Sequence, residues 1–545
     1  MTTATGPAAA APAPPRPSAW APFGHTAFTV LWVATVVSNI GTWMHDVGAG
    51  WLMTNLSPSP LMVALVQTAT TLPIFLFALP AGALADIVDR RRLLIVVQIV
   101  MTVLAALLAA LVWLEWAGVA TLLVFTFLLG ACAAFVAPAW QAIVPKLVPK
   151  DALQPAIALS SVGINISRAI GPALAGLVIV GLGLAAPFAL NAASFLCVIA
   201  ALVWWRPAPA ARTDLPAEAL WSAIAMGLRY AWSSAPLKAT LIRAMAFFVS
   251  ASAFWALLPL IARNELQGDA TLYGVMLGAV GAGAVTGALF MPALRSRTTP
   301  DRMVIGASVV LAVVMVLVAT VRHAALATGG CFVFGAGWIA VLSTLNVSAQ
   351  IALPDWVRAR GLSVYLTVFF GAMSAGSALW GQVATLASIP LALLAAAALL
   401  VAGIPATRKA RLHQAEGMDL SPSMHWPAPI VAGAIAGERS PVMTTIEYRV
   451  APENATRFRV LMAELGQARK RLGAYSWGVL EDAGAPGCFV EYFLESSWLQ
   501  HLRHHERVSG ADRLVQEQLV ALQLPGSAPL VRHLVGPAAA EGESG

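Results

Sequence analysis

Two charged residues, Asp46 and Arg168, stand inside long apolar stretches of the sequence. Asn39 and Trp43 precede Asp46, and Asn165 precedes Arg168, so each charge belongs to a short polar group. A charged side chain within a lipid bilayer is costly unless it is paired or faces a water-filled cavity. Either the two charges form a static ion pair that fixes helix packing, or they line a central cavity in which Asp46 exchanges a proton with substrate. The second arrangement is our working hypothesis.

A second cluster with chemical potential lies near the C-terminus, where His501, His504 and His505 occur in the segment HLRHHERVSGAD. His501 and His505 are four residues apart, so on a helix both could bind one metal ion. The sequence shows no third ligand for them. We therefore predict that these histidines lie on a solvated helix face, and that the protein uses neither a metal nor another cofactor.

The composition indicates which kind of structure must hold these residues. Of the 545 residues, 59% are hydrophobic and only 11% are charged, whereas soluble domains average about 25% charged residues. With so few charged residues, a soluble protein would lack the polar surface that it needs. A protein inside a bilayer does not need such a surface. The net charge of +7 does not indicate a nucleic-acid partner, because the basic residues gather in loops where they would face anionic lipid.

A spanning helix needs about 20 mostly apolar residues, and the chain contains twelve such stretches. They begin near Ala27, Leu61, Leu93, Val119, Ala152 and Ala185, and then, after a polar break, near Ala239, Tyr273, Met303, Ala327, Leu362 and Pro390. The sequence therefore predicts an all-α polytopic membrane protein with two sets of six transmembrane helices.

The loops between these stretches alternate in charge. On one side each loop carries several basic residues, such as Arg90, Arg91 and Arg92. On the other side the loops carry almost none: those at residues 55–60 and 115–118 have none, and those near Arg263 and Arg322 have one each. Positively charged loops stay in the cytoplasm, so we predict that both termini are cytoplasmic.

The two sets of helices resemble each other at a constant spacing of 205 positions, which pairs Gly82 with Gly287 and Arg90 with Arg295. This indicates two six-helix repeats, a common plan in transporters. A glycine-rich run from Gly274 to Gly287 lacks the lysine and the preceding strand of a nucleotide-binding loop, and we interpret it as a close-packing helix face.

Composition changes also mark the domains. Beyond the membrane part, the order of predicted elements is β-α-β-β-α-β, which indicates a small α+β domain of the ferredoxin-like type. The predicted units are an N-terminal disordered arm (1–22), the first six-helix bundle (23–205), a cytoplasmic linker with an amphipathic helix (206–237), the second bundle (238–411), a further linker (412–441), the ferredoxin-like domain (442–536) and a disordered tail (537–545).

The segment GALADIVDRRR joins the second and third predicted helices and contains Gly82, Asp86 and three arginines, Arg90, Arg91 and Arg92. It resembles the Gly-x-x-x-Asp-x-x-x-Arg-x-x-Arg loop of the major facilitator superfamily, although the usual glycine before the final basic pair is absent. Gly82 would let two helices approach closely. Asp86 would cap a helix or pair with the arginines, and this latch would stabilise the outward-open conformation. An incidental acid beside a positive anchor is the alternative.

Further segments, SNIGTWMHDVGAGWLM, GLRYAWSSAPLKATLIRA, ALLPLIAR and LPDWVRARGLSVY, resemble the enterobactin-exporter-like branch of bacterial exporters. The resemblance implies a multi-pass protein of the bacterial inner membrane that exports a small molecule, such as a siderophore or drug, and is driven by the proton gradient. Uptake of a nutrient or lipid, and a membrane-anchored enzyme or sensor acting through the C-terminal domain, remain alternatives.

The resemblance also implies roles for single residues. The fourth and tenth helices should face the cavity, so Gln141, Trp338 and Asn346 become candidate cavity residues. RAIGPALAGL resembles an exporter-type fifth-helix motif, in which Gly171, Pro172 and Gly176 permit either a bend or tight packing. The C-terminal domain resembles dimeric α/β-barrel proteins, so we expect a regulatory or dimerising module rather than an enzyme.

Overall fold

The computed structural model of the protein describes residues 20–206, 220–354, 356–412 and 439–537, together with Ser18, Asp419, Ser421, Ser423, His425, Trp426 and Ile435. Within these residues, twelve helices have the length and apolar composition needed to cross a membrane. They are α1 (Thr26–Leu56), α2 (Pro60–Ile87), α3 (Arg90–Trp113), α4 (Val119–Ile143), α5 (Leu153–Leu182), α6 (Ala186–Trp204), α8 (Ala235–Leu260), α9 (Ala270–Arg295), α10 (Pro300–Thr320), α11 (Ala324–Ile351), α12 (Arg358–Leu386) and α13 (Ile389–Ala406).

Each predicted span begins within four residues of an observed helix, which confirms the twelve-helix architecture. The constant spacing of 205 positions holds only in part. It separates the starts of α4 and α11 and of α5 and α12, but α3 and α10 start 210 positions apart. Pairing Arg90 with Arg295 is therefore wrong, since Arg90 opens α3 whereas Arg295 ends α9. The loop after α9 is longer than its counterpart after α2.

The two bundles meet where α5 packs on α9 and α2 packs on α12. Along α5 and α9 the backbones approach so closely that a Cβ atom on Gly274 would lie 2.6 Å from the carbonyl oxygen of Pro172. A Cβ atom on Gly176 would lie 2.8 Å from the carbonyl oxygen of Ala270. The predicted close-packing face of α9 is thereby confirmed, and its N-terminal glycines face the first bundle.

Helix α7 (Leu220–Ser233) lies between the bundles in sequence and forms the predicted linker helix. Tyr230 is buried and its hydroxyl donates a hydrogen bond of 3.1 Å to the carbonyl of Ala352, at the end of α11. Burial raises the pKa of Tyr230 to about 12, so the phenol stays protonated and keeps this hydrogen bond. Leu228 and Trp232, one turn apart, are exposed, as expected for an apolar helix face at a membrane surface.

The C-terminal domain has the predicted order of elements: β1 (Val442–Arg449), α14 (Ala455–Leu472), β2 (Ser476–Glu481), β3 (Cys488–Glu495), α15 (Trp498–Arg507), α16 (Gly510–Ala521) and β4 (Leu530–Val535). Its four strands form one antiparallel sheet in the order β2-β3-β1-β4. Side chains alternate along β1 and β3 between a face buried under the helices and a more open face, as the two-residue period of a strand requires.

An ion pair lies in the core of this domain. Arg469 of α14 and Glu491 of β3 are almost fully buried, with 2.9 Å between Arg469 Nε and Glu491 Oε1. The guanidinium group of Arg469 lies between the rings of Trp426 and Phe493, 4.7 Å from each. Trp426 belongs to the predicted linker 412–441, so part of that segment packs on the domain instead of only connecting it.

The domain also contacts the membrane part. Arg229 of α7 donates a hydrogen bond of 2.9 Å to the carbonyl of Gly473, which follows α14. The guanidinium group of Arg507, at the end of α15, lies 4.5 Å from the ring centre of Trp356, in the turn before α12. A cavity of about 450 Å³ lies between the two parts, lined by Tyr230 and Lys238 of the membrane part and by Arg471 of α14.

Candidate functional site

Helix α1 presents a polar stripe to the neighbouring helices. Asn39, Trp43, Asp46 and Gly50 follow one another at spacings of three and four, so they share one helix face. Asn39, Trp43 and Asp46 are all partly buried. Helix α5 packs against this stripe so tightly that a Cβ atom on Gly171 would lie 2.6 Å from Cβ of Trp43. Gly171 thus permits close packing, one of the two roles predicted for it.

The structure brings Arg168 and Trp43 together. The guanidinium carbon of Arg168 lies 5.5 Å from the ring centre of Trp43, within the range of a cation–π contact. The Nε atom of Arg168 is buried and has no hydrogen-bond partner among the residues that the structure describes. Among the described residues no salt bridge joins Arg168 to Asp46, so a static ion pair between these two charges is not the arrangement observed.

Two ends of the bundle are distinguished by their loops. We call the end at which Arg90 opens α3 the basic end, and the end at which α1 reaches Leu56 the far end. The far end is closed just beyond Asp46. Gly50 lies one turn after Asp46, and a Cβ atom there would be 3.0 Å from the hydroxyl of Tyr273 in the second bundle. The rings of Trp51 and Tyr273 stack across the same boundary, with centres 6.2 Å apart.

Arg263 completes this closure. It lies in a short π-helical turn, Ile261–Glu265, that extends α8 at the far end. Its Nη1 donates a hydrogen bond of 2.8 Å to Thr54 Oγ1 and another, shorter one to Asn55 Oδ1. Its guanidinium carbon also lies 5.8 Å from the ring centre of Trp51. The three partners belong to the first bundle, so Arg263 clamps the two bundles together.

Arg263 is a functional candidate that the sequence pattern could have indicated. Arg263 and Arg322 are the exceptions in loops that otherwise carry no basic residue. Both are engaged with polar groups, since Arg322 forms a salt bridge with Glu265. At both positions, a basic residue in a set of loops that otherwise carry none makes a structural contact.

The other predicted cavity residues divide into two groups. Gln141 is exposed at the basic end of α4, and Asn346 is partly exposed on α11, where its Oδ1 accepts a hydrogen bond of 2.5 Å from Gln350 Nε2. Asn165 is partly exposed and donates to the carbonyl of Ser161. Trp338 is only 5% exposed.

The prediction that Trp338 lines a cavity is wrong. Its ring packs among Phe247, Phe248, Trp255 and Phe334 of the second bundle, with ring centres 5.3 to 6.2 Å apart. An indole ring buries a large apolar area, and on this face of α11 the neighbouring aromatic side chains cover it completely. Trp338 is a core residue of the second bundle.

The predicted latch residues Gly82, Asp86, Arg90, Arg91 and Arg92 lie at the end of α2 and the start of α3. The side chain of Asp86 lies outside the described part of the chain. Among the described residues, a Cβ atom on Gly82 would meet only Ser363 Oγ, at 4.0 Å, so they show no close helix approach at this glycine. Asp89 caps α3 by accepting a hydrogen bond of 2.8 Å from the backbone N–H of Arg92. Arg91 donates to the carbonyls of Leu202 and Val203 at the end of α6.

The histidines of the C-terminal domain do not lie on a solvated face, so that prediction is wrong. His501 and His504 are 0% exposed. Each donates from Nδ1 to one carboxylate oxygen of the buried Glu495, at 2.6 Å. Burial alone would raise the pKa of Glu495, but the adjacent histidines outweigh it and hold that pKa below its usual value.

A third imidazole joins this group from β4. His501, His505 and His533 each offer one ring nitrogen, and the three nitrogens lie within 4.8 Å of one another. Burial and then the neighbouring His501 and His504 lower the pKa of His505 to about 3, and burial also lowers the pKa of His533. His533 is distant from the other two in sequence, so only the fold of the strand brings it to them.

Comparisons with known proteins agree with this architecture. A family model described as transmembrane secretion effector matches residues 17–541. The multidrug efflux pump Tap of Mycolicibacterium fortuitum is 25% identical over 395 residues, which cover 70% of this chain and 95% of that protein. The Staphyloferrin A transporter of Staphylococcus aureus is 24% identical over 255 residues, 46% of this chain and 64% of that protein, so the match spans slightly less than two thirds of that relative. The solved structure of the nucleoside transporter NupG has the same fold over 70% of this chain and 99% of its own, with a TM-score of 0.60 at 12% identity.

Proposed function

Because this chain belongs to the transmembrane secretion effector family of major facilitator transporters, we propose that it exports a small molecule in exchange for protons. That it is a multi-pass membrane transporter follows from the family. The direction of transport and the coupling to protons are the parts we propose. An efflux pump and a siderophore transporter among its relatives make a drug-like compound or a siderophore the substrate class to test first.

The polar stripe of α1 supports this proposal. Asp46 carries a carboxylate one turn from the contact that closes the far end, and no described salt bridge neutralises it. A carboxylate at membrane depth is tolerated only where it can be protonated or hydrated. Opening the far end would therefore let Asp46 take a proton from outside, and opening the basic end would let it release that proton inside.

Arg168 and Trp43 give the same site a surface for substrate. A guanidinium group stacked on an indole ring presents a positive charge beside a flat apolar face. Such a surface suits an anionic or aromatic molecule, since arginine binds carboxylates and stacks on rings. We propose that substrate binds between Arg168 and Asp46, with Asn39 and Asn165 as flanking polar contacts, and that Gln141 and Asn346 line its path towards the basic end.

We also propose an orientation of the protein in the membrane. The basic end would face the cytoplasm, because positively charged loops are retained there, and both termini would then be cytoplasmic in the inner membrane of a bacterium. The latch at Gly82, Asp86 and Arg90 would form when the far end opens. A bend at Pro172 between Gly171 and Gly176 would accompany that change.

Transport in vesicles with an imposed pH gradient tests the proposal. Purified full-length protein is reconstituted, and uptake of a fluorescent drug and of a ferric siderophore is followed with and without the gradient. We expect accumulation in the acidic compartment that disappears when an ionophore collapses the gradient. Asp46→Asn should abolish the effect of the gradient, whereas Asp269→Asn should not, because Asp269 only caps α9 at the far end.

The outcomes separate the alternatives. Accumulation in the alkaline compartment would indicate uptake with protons and would contradict export. Gradient-driven transport that is unchanged in Asp46→Asn would remove Asp46 from proton coupling. If no substrate moves but the C-terminal domain converts a compound by itself, the protein is a membrane-anchored enzyme and the transport proposal fails.

We also propose that the C-terminal domain pairs with a second copy of itself. The open face of its sheet exposes apolar side chains, among them Leu480, Leu530 and Leu534. An exposed apolar sheet face is typical of a surface that a partner covers. Crosslinking of a Leu534→Cys variant, in which the four native cysteines are replaced, tests this, with Leu514→Cys on the helix side as the control.

A further inference from the structure

We propose that His501, His505 and His533 form a binding site for a divalent transition metal ion in the C-terminal domain. The site is independent of the transport proposal, because it lies outside the membrane helices and uses none of their residues.

The fold supplies the three ligands from two elements. His501 and His505 lie on consecutive turns of α15, so their rings leave the same helix face. His533 lies on β4, opposite Thr444 of β1, whose side chain is buried on the helix-covered face of the sheet. His533 therefore points towards α15. One strand residue and two helix residues thus place three imidazole rings around the position that a metal ion would occupy.

The distances fit a metal after a small adjustment. The Nε2 atoms of His501 and His505 are 3.2 Å apart. Three nitrogens at about 2.0–2.1 Å from a tetrahedral Zn²⁺ lie about 3.3 Å from one another, so this pair already has the required spacing. The remaining separations are no more than 4.8 Å. The ring of His533, on an edge strand of the sheet, would have to bring its nitrogen closer by at most about 1.5 Å to reach the zinc spacing.

Glu495 does not bind the metal itself but orients one of the histidine ligands. Its Oε2 accepts a hydrogen bond of 2.6 Å from Nδ1 of His501, so the other ring nitrogen, Nε2, which lies next to His505, is the atom that can bind a metal. A carboxylate that orients a metal-binding histidine in this way is a regular feature of zinc sites. Glu495 is itself 0% exposed, so its position is fixed by the surrounding core.

The kind of ion follows from the ligands. Three imidazole nitrogens suit Zn²⁺, Cu²⁺, Ni²⁺ or Co²⁺, whereas Mg²⁺ and Ca²⁺ prefer oxygen ligands. Trp498 packs on His501 and Trp426 on His505, with ring centres 5.1 and 4.7 Å apart. These indole rings cover the histidine cluster on two sides. A tetrahedral ion held by three nitrogens keeps a fourth position for water or for a small ligand.

The competing explanation is a metal-free cluster in which His501 and His505 simply share a hydrogen bond. Metal titration distinguishes the two. Full-length protein with a tag that contains no histidine is purified in detergent, stripped with a chelator and titrated with Zn²⁺ by calorimetry. We expect one ion per chain with micromolar or tighter affinity, and a visible absorption band typical of a tetrahedral site when Co²⁺ replaces Zn²⁺.

Variants make the test specific. His505→Gln and His533→Gln should each weaken Zn²⁺ binding by at least about tenfold, and Glu495→Gln, which keeps all three nitrogens, by about 10- to 100-fold. His425→Gln is the matched control, because His425 belongs to the same domain but contacts Ser423 and Gln516. A thermal unfolding scan of each variant without metal shows whether it still folds.

Two results would overturn the proposal. One is the absence of stoichiometric binding by the wild-type protein to both Zn²⁺ and Co²⁺. The other is binding of equal affinity in folded His505→Gln and His533→Gln, which would place the ion at other surface histidines. Because no transport is measured, a failure of the transport proposal would leave this result unchanged.

Discussion

Arg263 Nη1 and Thr54 Oγ1 lie 2.8 Å apart, and this hydrogen bond joins the second six-helix bundle to the first. Together with the contacts of Arg263 to Asn55 and Trp51, it holds the far end closed directly beyond Asp46. If the far end opens to the outside in each transport cycle, as we propose, the strength of this clamp sets how often Asp46 is exposed there.

Arg263→Ala should therefore favour the state in which the far end is open. A hydrogen bond to a charged group contributes about 1.5–3 kcal/mol, so loss of the clamp should raise the open population roughly tenfold or more. The measurement is the rate at which a membrane-impermeant maleimide labels an Asn39→Cys reporter from outside. Arg322→Ala is the control, because Arg322 pairs with Glu265 within the second bundle. Equal labelling rates in both variants would show that Arg263 is not a clamp.

Gly274→Ala should weaken the contact between α5 and α9. The new Cβ atom would lie 2.6 Å from the carbonyl oxygen of Pro172, and inserting a methyl group into a packed interface costs about 1–3 kcal/mol. We expect a lower thermal unfolding midpoint in detergent. Gly306→Ala is the matched control, since no atom lies within 4 Å of its Cβ position on α10, and it should leave the midpoint unchanged or raise it. An unchanged midpoint in Gly274→Ala would contradict the tight approach.

Arg469→Met should destabilise the C-terminal domain by about 3–5 kcal/mol, because it leaves Glu491 buried without its cation. Partial rescue by the double variant Arg469→Met with Glu491→Met is expected for the same reason. Arg459→Met is the control: its pair with Glu481 is exposed and contributes at most about 1 kcal/mol. Protease resistance of the domain in urea, measured on the full chain, reports these differences. Similar losses in both single variants would argue against the burial of the Arg469 pair.

Arg507→Ala should loosen the C-terminal domain from the membrane part. The cation–π contact with Trp356 contributes about 1 kcal/mol, so amide hydrogen exchange in α15 and in the turn at Trp356 should become several-fold faster. Arg513→Ala, which removes only the exposed pair with Glu517 on α16, should leave exchange at Trp356 unchanged. Faster exchange confined to α15 would mean that the two parts do not dock through this contact.

The sequence by itself determined the helices and their order. Each span is a local property, because about 20 apolar residues suffice to place a helix in a bilayer, and the observed helices begin within four residues of the predicted ones. The elements of the C-terminal domain were also predictable, since strand alternation and helix periodicity are read over a few residues. The shared face of Asn39, Trp43 and Asp46 follows from helix geometry alone.

Tertiary structure decided which of these residues meet. Trp338 was expected at a cavity but lies in an aromatic core, because the packing of its neighbours, and not its own helix, determines what covers it. Arg263 meets Thr54 from 209 positions away, and His533 completes a cluster with His501 that appeared to lack a third member. Contacts of this kind depend on how separate helices and strands pack, and hydrophobic periodicity records which face is buried but not which partner buries it.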